Sequence, residues 1–187
     1  MEKFSAIYAR AVKRKGSEAM LQSLLTAPKT HRQLVNTDSS RVLAEMTKKV
    51  FQSGFVWRVV RQKWPHFEEV FWDFNIEKIL MMPDEMLEKK ATDPKIIRNL
   101  SKVMTIRANA SMLHDIAVEY GSVGQWLADW PEDDIIGLWA YLKQHGARLG
   151  GNTGPYALRA IGKDTFLLSR DVEGYFRAYK LIDGGLT

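Results

Sequence analysis

Leu149-Gly150-Gly151-Asn152-Thr153-Gly154-Pro155-Tyr156-Ala157 is where the organisation of this chain first becomes readable. Three glycines and a proline separate two runs with helical apolar spacing. Glycine accepts the positive φ that a tight reversal requires, and proline is well suited to open a helix. The stretch therefore predicts a hairpin between two helices. Thr153 is expected to cap the second helix. Backbone N–H groups over Gly151, Asn152, Thr153, Gly154 and Tyr156 would then face an anion such as a phosphate, because orphan amides and the helix dipole both favour negative charge there. Downstream, Leu168-Ser169-Arg170-Asp171-Val172 brings the carboxylate of Asp171 to the start of another helical run. Taken alone, the same residues also describe a plain connector with an Asp in a helix cap.

Around the hairpin the periodicity is helical throughout. Residues 3–14 and 17–26 read as two short helices broken at Gly16, and 27–37 as a loop. Thr37-Asp38-Ser39-Ser40 opens a helix through Phe51 with Val42, Leu43, Met46 and Val50 on its buried side. A further helix follows Gly54 and is expected to end at Trp64-Pro65, after which Phe67, Val70 and Phe71 begin another. Short helices are predicted over 76–80 and from Pro83-Asp84. Asp93-Pro94 is expected to launch the longest helix, through Tyr120, with Ile96, Ile97, Leu100, Val103, Met104, Ala108, Leu113, Ile116 and Ala117 as its buried stripe. Short helices over 122–130, 135–145 and 156–161 and a last one from about Asp171 to Ile182 complete an all-α chain. No strand alternation, repeat or low-complexity linker interrupts it.

Composition narrows the function. Hydrophobic residues make up 45% of the 187 and charged residues 26%, with six Trp, which describes a globular chain with a full core. No apolar run is long enough to span a bilayer, and the N-terminus lacks a secretory pattern, so a soluble cytoplasmic protein with no membrane partner is expected. The absence of Cys excludes disulfides, thiolate metal sites and a Cys nucleophile. His31, His66, His114 and His145 fall at no metal-binding spacing. The net charge of +5 lies in the first quarter: residues 1–50 hold 10 Lys and Arg against 4 Asp and Glu, residues 51–187 hold 17 against 18. That excess suits a partner bearing phosphates.

A second set of motifs lies upstream of the hairpin. It comprises Thr37-Asp38-Ser39, Gly54-Phe55-Val56-Trp57, Val60-Arg61-Gln62-Lys63 and Phe71-Trp72-Asp73-Phe74. Above all it includes Asp93-Pro94-Lys95-Ile96-Ile97-Arg98-Asn99, leading to Lys102 and Ile106-Arg107-Ala108-Asn109-Ala110. In these residues and their spacing, the chain from Thr37 onward resembles the type I 3-methyladenine DNA glycosylase family, within the helix-hairpin-helix glycosylase superfamily. The resemblance implies a compact helical body over 37–187, with 1–36 as a basic helical segment packed on it. It implies a monofunctional, monomeric repair enzyme acting on double-stranded DNA. Such an enzyme flips out an alkylated or otherwise damaged, 3-methyladenine-like purine and hydrolyses its N-glycosidic bond.

By the same resemblance Asp171 is the catalytic acid, stabilising the positive charge that develops on the sugar and orienting water, with Asp164 the runner-up. Trp57 is the expected aromatic wall of the base pocket, with Phe51 and Phe55 beside it. Lys49 falls where the family has a pocket Glu, and its ammonium suits a neutral lesion with a carbonyl acceptor. The hairpin carbonyls would hold a monovalent cation. No zinc is expected, because the family's terminal Cys and His ligands are missing and Asp183-Gly184-Gly185-Leu186-Thr187 offers none. The hairpin has no Lys for Schiff-base chemistry. The alternatives are a non-catalytic DNA-binding relative with a decayed pocket and an unrelated all-α interaction protein.

Overall fold

The computed structural model describes residues 2–183. Residues 184–187, on which part of the zinc expectation rests, lie outside that range. Among the described residues the chain folds into twelve α-helices and two short 3-10 turns, with no strand. In order they are α1 (Phe4–Lys15), α2 (Glu18–Leu24), α3 (His31–Val35), α4 (Ser39–Gln52), α5 (Trp57–Val70), α6 (Ile76–Leu80), α7 (Asp84–Ala91), α8 (Leu100–Tyr120), α9 (Val123–Asp129), α10 (Ile135–His145), α11 (Thr153–Ile161) and α12 (Arg170–Ala178).

These helices form two compact units, which divide the chain differently from the expected break at 36/37. Residues 29–168 make the larger unit, and 2–28 together with 169–183 make the smaller. The N-terminal boundary moves because 27–37 is not all loop. Thr30 and Gln33 form a reciprocal capping box that starts α3, Leu34 is buried, and α3 packs on α9. That packing is close: a Cβ at Gly124 would collide with the carbonyls of Leu34 and Val35. The smaller unit pairs α1 with α2 and contains α12, whose N-terminus is capped by Ser169 accepting from the Val172 amide.

In the larger unit α4 and α8 are the central pair. α4 buries Val42, Leu43, Met46, Val50 and Phe51 and packs on α5, α8 and α11. α8 starts six residues later than the sequence suggested, at Leu100, with Asn99 accepting from the Lys102 amide. The segment before it is a turn because its carbonyls are taken from outside. Lys63 on α5 donates to Pro94, Lys95 and Ile96 at 2.7, 3.2 and 3.2 Å, while Asp93 Oδ1 accepts from the Lys95 amide at 2.8 Å. The later start rotates the stripe: Val103, Ile106, Ala110, Leu113 and Ile116 are buried, whereas Leu100 and Ala108 are exposed.

α5 also departs from expectation by running through Pro65. Proline there removes one ladder hydrogen bond. Trp64 holds the segment by stacking between Phe67 and Phe74, each 5.4 Å away at 17° and 7°. After α5, Trp72, Asp73 and Phe74 all have positive φ, a left-handed turn that Arg41 secures through the Asp73 carbonyl at 2.8 Å.

Two polar side chains of α8 reach across the core. Lys102, only 6% exposed, donates to the carbonyls of Val50 at 2.8 Å, Phe51 at 3.3 Å and Ser53, so its ammonium sits on the negative end of α4. Burial lowers its pKa, with Arg148 lowering it further. Asn109, fully buried, accepts from the Ala147 amide at 2.7 Å and donates to the Ala147 carbonyl at 3.2 Å, fixing the chain where it enters the hairpin. Asn109→Ala leaves both groups unpaired and is expected to cost about 2–4 kcal/mol. Urea unfolding measures it, and a loss below about 1 kcal/mol would contradict the clamp.

Candidate functional site

α10 and α11 are joined by residues 146–152, the predicted hairpin. Arg148 and Gly151 take positive φ of 60° and 58°. Thr153 is already helical and does not cap. Asn152 occupies the cap position without a side-chain bond to the helix, donating instead to the Leu168 carbonyl at 3.0 Å. The amides of Thr153, Gly154 and Tyr156 are used internally by the carbonyls of Gly150, Leu149 and Asn152 at 3.3, 3.1 and 3.0 Å. This corrects the expectation that they face an anion. The amides of Gly151 and Asn152, together with that of Gly150, make no hydrogen bond among the described residues, and Gly151 and Asn152 are exposed. The amides of the hairpin left without a hydrogen bond are therefore those of Gly150–Asn152, a set that starts one residue earlier than the sequence indicated.

Beside these residues lies a half-open cavity of about 130 Å³, lined by Lys49, Gln52, Ser53, Trp57, Asn152, Thr153 and Tyr156. An engineered apolar cavity of roughly 150 Å³ holds benzene, so the space is on the scale of an aromatic ring. Lys49 and Gln52 come from the last turn of α4, which the Lys102 ammonium holds, and Trp57 from the first residue of α5. Asn152 to Tyr156 come from the hairpin and the start of α11. The rings of Trp57 and Tyr156 meet edge to face at 5.5 Å and 89°. Lys49 Nζ lies 5.6 Å from the centre of the Trp57 ring and donates to Gln52 Oε1 at 3.2 Å. Burial lowers the Lys49 pKa, Glu45 opposes this, and Lys48 and Arg61 reinforce it.

The structure thus brings Lys49 and Trp57 to one cavity with Asn152, Thr153 and Tyr156. The other candidates are not among the residues that line it. Phe51 is fully buried and packs edge-on against Phe67 at 4.7 Å, a core residue and not a pocket wall. Phe55 is exposed, does not line the cavity, and has Lys102 Nζ 4.7 Å from its ring centre. Asp171 is exposed in the first turn of α12, in the smaller unit. Asp164 lines a different cleft of about 330 Å³ with Lys29, His31, Glu132 and Lys163. Gln52 was missed by sequence reasoning. Its signal was its position one turn after Lys48 and three residues after Lys49 on the helix face that carries the pocket.

The sequence matches the family described as methyladenine glycosylase over residues 32–158, more than half of the chain. The chain belongs to the methyladenine glycosylase family. It is accordingly a DNA-repair N-glycosylase, a hydrolase of alkylated bases with an all-α fold. Among solved structures it is similar to a variant of 3-methyladenine DNA glycosylase I in complex with 3-methyladenine. The identity is 25% and the TM-score 0.59, covering 71% of this chain and 82% of that one. It is equally similar to 3-methyladenine DNA glycosylase I from Staphylococcus aureus, at 25% identity and TM-score 0.59 over 71% and 81% of the two chains. Another 3-methyladenine DNA glycosylase I structure, 22% identical with TM-score 0.58 over 73% and 81%, shares the fold. No curated protein sequence matches. The family segment contains Lys49, Gln52, Trp57 and the hairpin, and ends before Asp164 and Asp171.

Gly154, in the first turn of α11, leaves no room for a side chain. A Cβ there would lie 2.6 Å from the Leu149 carbonyl and 3.4 Å from Leu142 Cδ1, whereas Gly151 faces open space and pays only for its φ of 58°. Gly154→Ala is expected to lose about 2–3 kcal/mol and Gly151→Ala about 1 kcal/mol in thermal unfolding. Equal losses would contradict the close approach.

Proposed function

We propose that this glycosylase rotates a damaged nucleotide out of double-stranded DNA into the cavity between α4, Trp57 and the hairpin, and hydrolyses its N-glycosidic bond there. The observation that carries the reading is the convergence of Lys49, Gln52, Trp57, Asn152, Thr153 and Tyr156 on one ring-sized cavity next to the unpaired amides of Gly150–Asn152. Those amides hold the phosphate backbone without reading sequence. Trp57 supplies a face for the flipped base, and Tyr156 braces it from the side. A monovalent cation, when bound at the hairpin, would rest on the carbonyls of Arg148 and Gly151, which accept no hydrogen bond among the described residues. It would add charge to the phosphate contact.

Among the described residues the cavity lining contains no carboxylate. In this reading Asp171 supplies the acid, as the resemblance of residues 149–171 to the superfamily implies: it stabilises the developing sugar cation and orients the attacking water. The enzyme acts as a monofunctional monomer and without zinc, since it has no Cys to bind it.

An abasic-site assay on alkylated duplex DNA tests both parts under single-turnover conditions. Asp171→Asn is expected to slow release by roughly 10²–10³-fold with little change in duplex affinity. Trp57→Ala is expected to slow release and to weaken selectivity for damaged over undamaged duplex, by about 10-fold, as expected for loss of a stacking face. Full activity of Asp171→Asn would remove that residue from the mechanism; full activity of Trp57→Ala would remove the cavity.

A further inference from the structure

Lys49 carries the one ammonium that lines the cavity, and its surroundings leave its charge facing the ligand space. It makes no ion pair among the described residues. The carboxylate of Glu45, one turn earlier, lies 3.7 Å from Lys48 Nζ, and Lys48 in turn sits 4.9 Å from the centre of the Trp64 ring. Arg61, on α5, adds positive potential. Among the described residues the single hydrogen-bond acceptor of the ammonium is Gln52 Oε1. Because an ammonium has no lone pair, the Gln52 amide oxygen must face it, which turns the Nε2 amino group away. Gln52 as a residue is only 5% exposed and lines the cavity, and its amino group makes no hydrogen bond among the described residues. That N–H group is therefore open to an acceptor on a ligand in the cavity. Two N–H donors, one of them cationic, therefore line the cavity together with the Trp57 ring.

We propose that Lys49 and Gln52 make this glycosylase select a damaged base that is uncharged in the duplex and presents lone pairs, on a ring nitrogen or a carbonyl oxygen, to their N–H groups. The inference rests on the cavity being the base pocket. A base cationic through ring alkylation meets a like charge at Lys49 and offers fewer acceptors to Gln52. Within a few ångströms, in a half-open site, that repulsion is worth about 10–100-fold in affinity. The same pair answers the chemical need of an uncharged substrate. When the bond between C1′ and the base nitrogen breaks, its electron pair goes to the base, while water delivers hydroxide to C1′ and releases a proton. A cationic base leaves neutral without help. An uncharged base leaves as an anion unless a donor meets the charge that develops on it, and the Lys49 ammonium is such a donor. The water's proton then completes the neutral free base, so atoms and charge balance.

The test compares single-turnover release from duplexes carrying one uncharged lesion, hypoxanthine or 1,N6-ethenoadenine, with a duplex carrying the cationic 7-methylguanine. It uses wild type, Lys49→Gln, Lys49→Glu and Trp57→Ala. Wild type is expected to favour an uncharged lesion. Lys49→Glu should shift the ratio of uncharged to cationic release toward the cationic lesion by about 100-fold, and Lys49→Gln should shift it by about 10-fold. An unchanged ratio in both Lys49 variants, with Trp57→Ala still impaired on every lesion, overturns the inference and leaves the base pocket standing. Unimpaired Trp57→Ala overturns the pocket and the inference together. A uniform loss on damaged and undamaged duplexes, with a salt slope reduced by about 1, makes Lys49 a phosphate contact and likewise overturns the inference.

Discussion

A lysine ammonium buried against the end of a helix organises the larger unit. Lys102 reaches from α8 to the carbonyls of Val50, Phe51 and Ser53, where α4 stops. Placing a charge there is costly unless acceptors meet it. Three carbonyls and the helix dipole do so, and the last turn of α4 is thereby fixed in place with Lys49 and Gln52 on it. Two turns further along α8, Asn109 holds the backbone of Ala147 and so sets the entrance to the hairpin. One helix thus positions both walls of the cavity through polar side chains that touch backbone, which leaves the cavity's own side chains free to meet a ligand.

That division separates the framework of this member of the methyladenine glycosylase family from the side chains that line its cavity. Lys63, Asn99, Lys102 and Asn109 act on backbone atoms, so they depend on chain geometry and not on the identity of the ligand. Lys49, Gln52 and Trp57 contribute their side chains to the open space, where a substitution would change the cavity's chemistry without loosening the scaffold. The cation-π contact of Lys49 with Trp57 links the two chemical features of the pocket, its charge and its stacking face.

Much of this was legible in the sequence because the motifs that carry the resemblance are the ones that hold backbone. The spacing of Asn99, Lys102 and Asn109 on one helix, and the glycines of the hairpin, report local geometry that few other residues satisfy. The helix starting at Leu100 was misplaced because Asp93-Pro94 looks like a helix start, while the carbonyls that end the turn are captured by Lys63, more than thirty residues away in sequence. Likewise, nothing local announces that Pro65 will be carried through a helix by the stacking of Trp64 on Phe67 and Phe74. At the site, apolar spacing could not separate Phe51, which packs on Phe67, from Trp57, which lies six residues on and stands at the cavity. The hairpin amides were misassigned by a step because internal bonds from Thr153, Gly154 and Tyr156 depend on how tightly the turn closes.

The central claim is that a damaged base occupies the space bounded by Lys49, Gln52, Trp57 and Tyr156. A crystal structure of the protein with a lesion-bearing duplex, trapped by a non-hydrolysable sugar analogue, tests it most directly. The account predicts the extruded base against the Trp57 face, within hydrogen-bond reach of Lys49 Nζ and Gln52 Nε2, with a phosphate at the amides of Gly150–Asn152. A base still stacked in the duplex, or lodged in another cleft with this cavity empty, would contradict it.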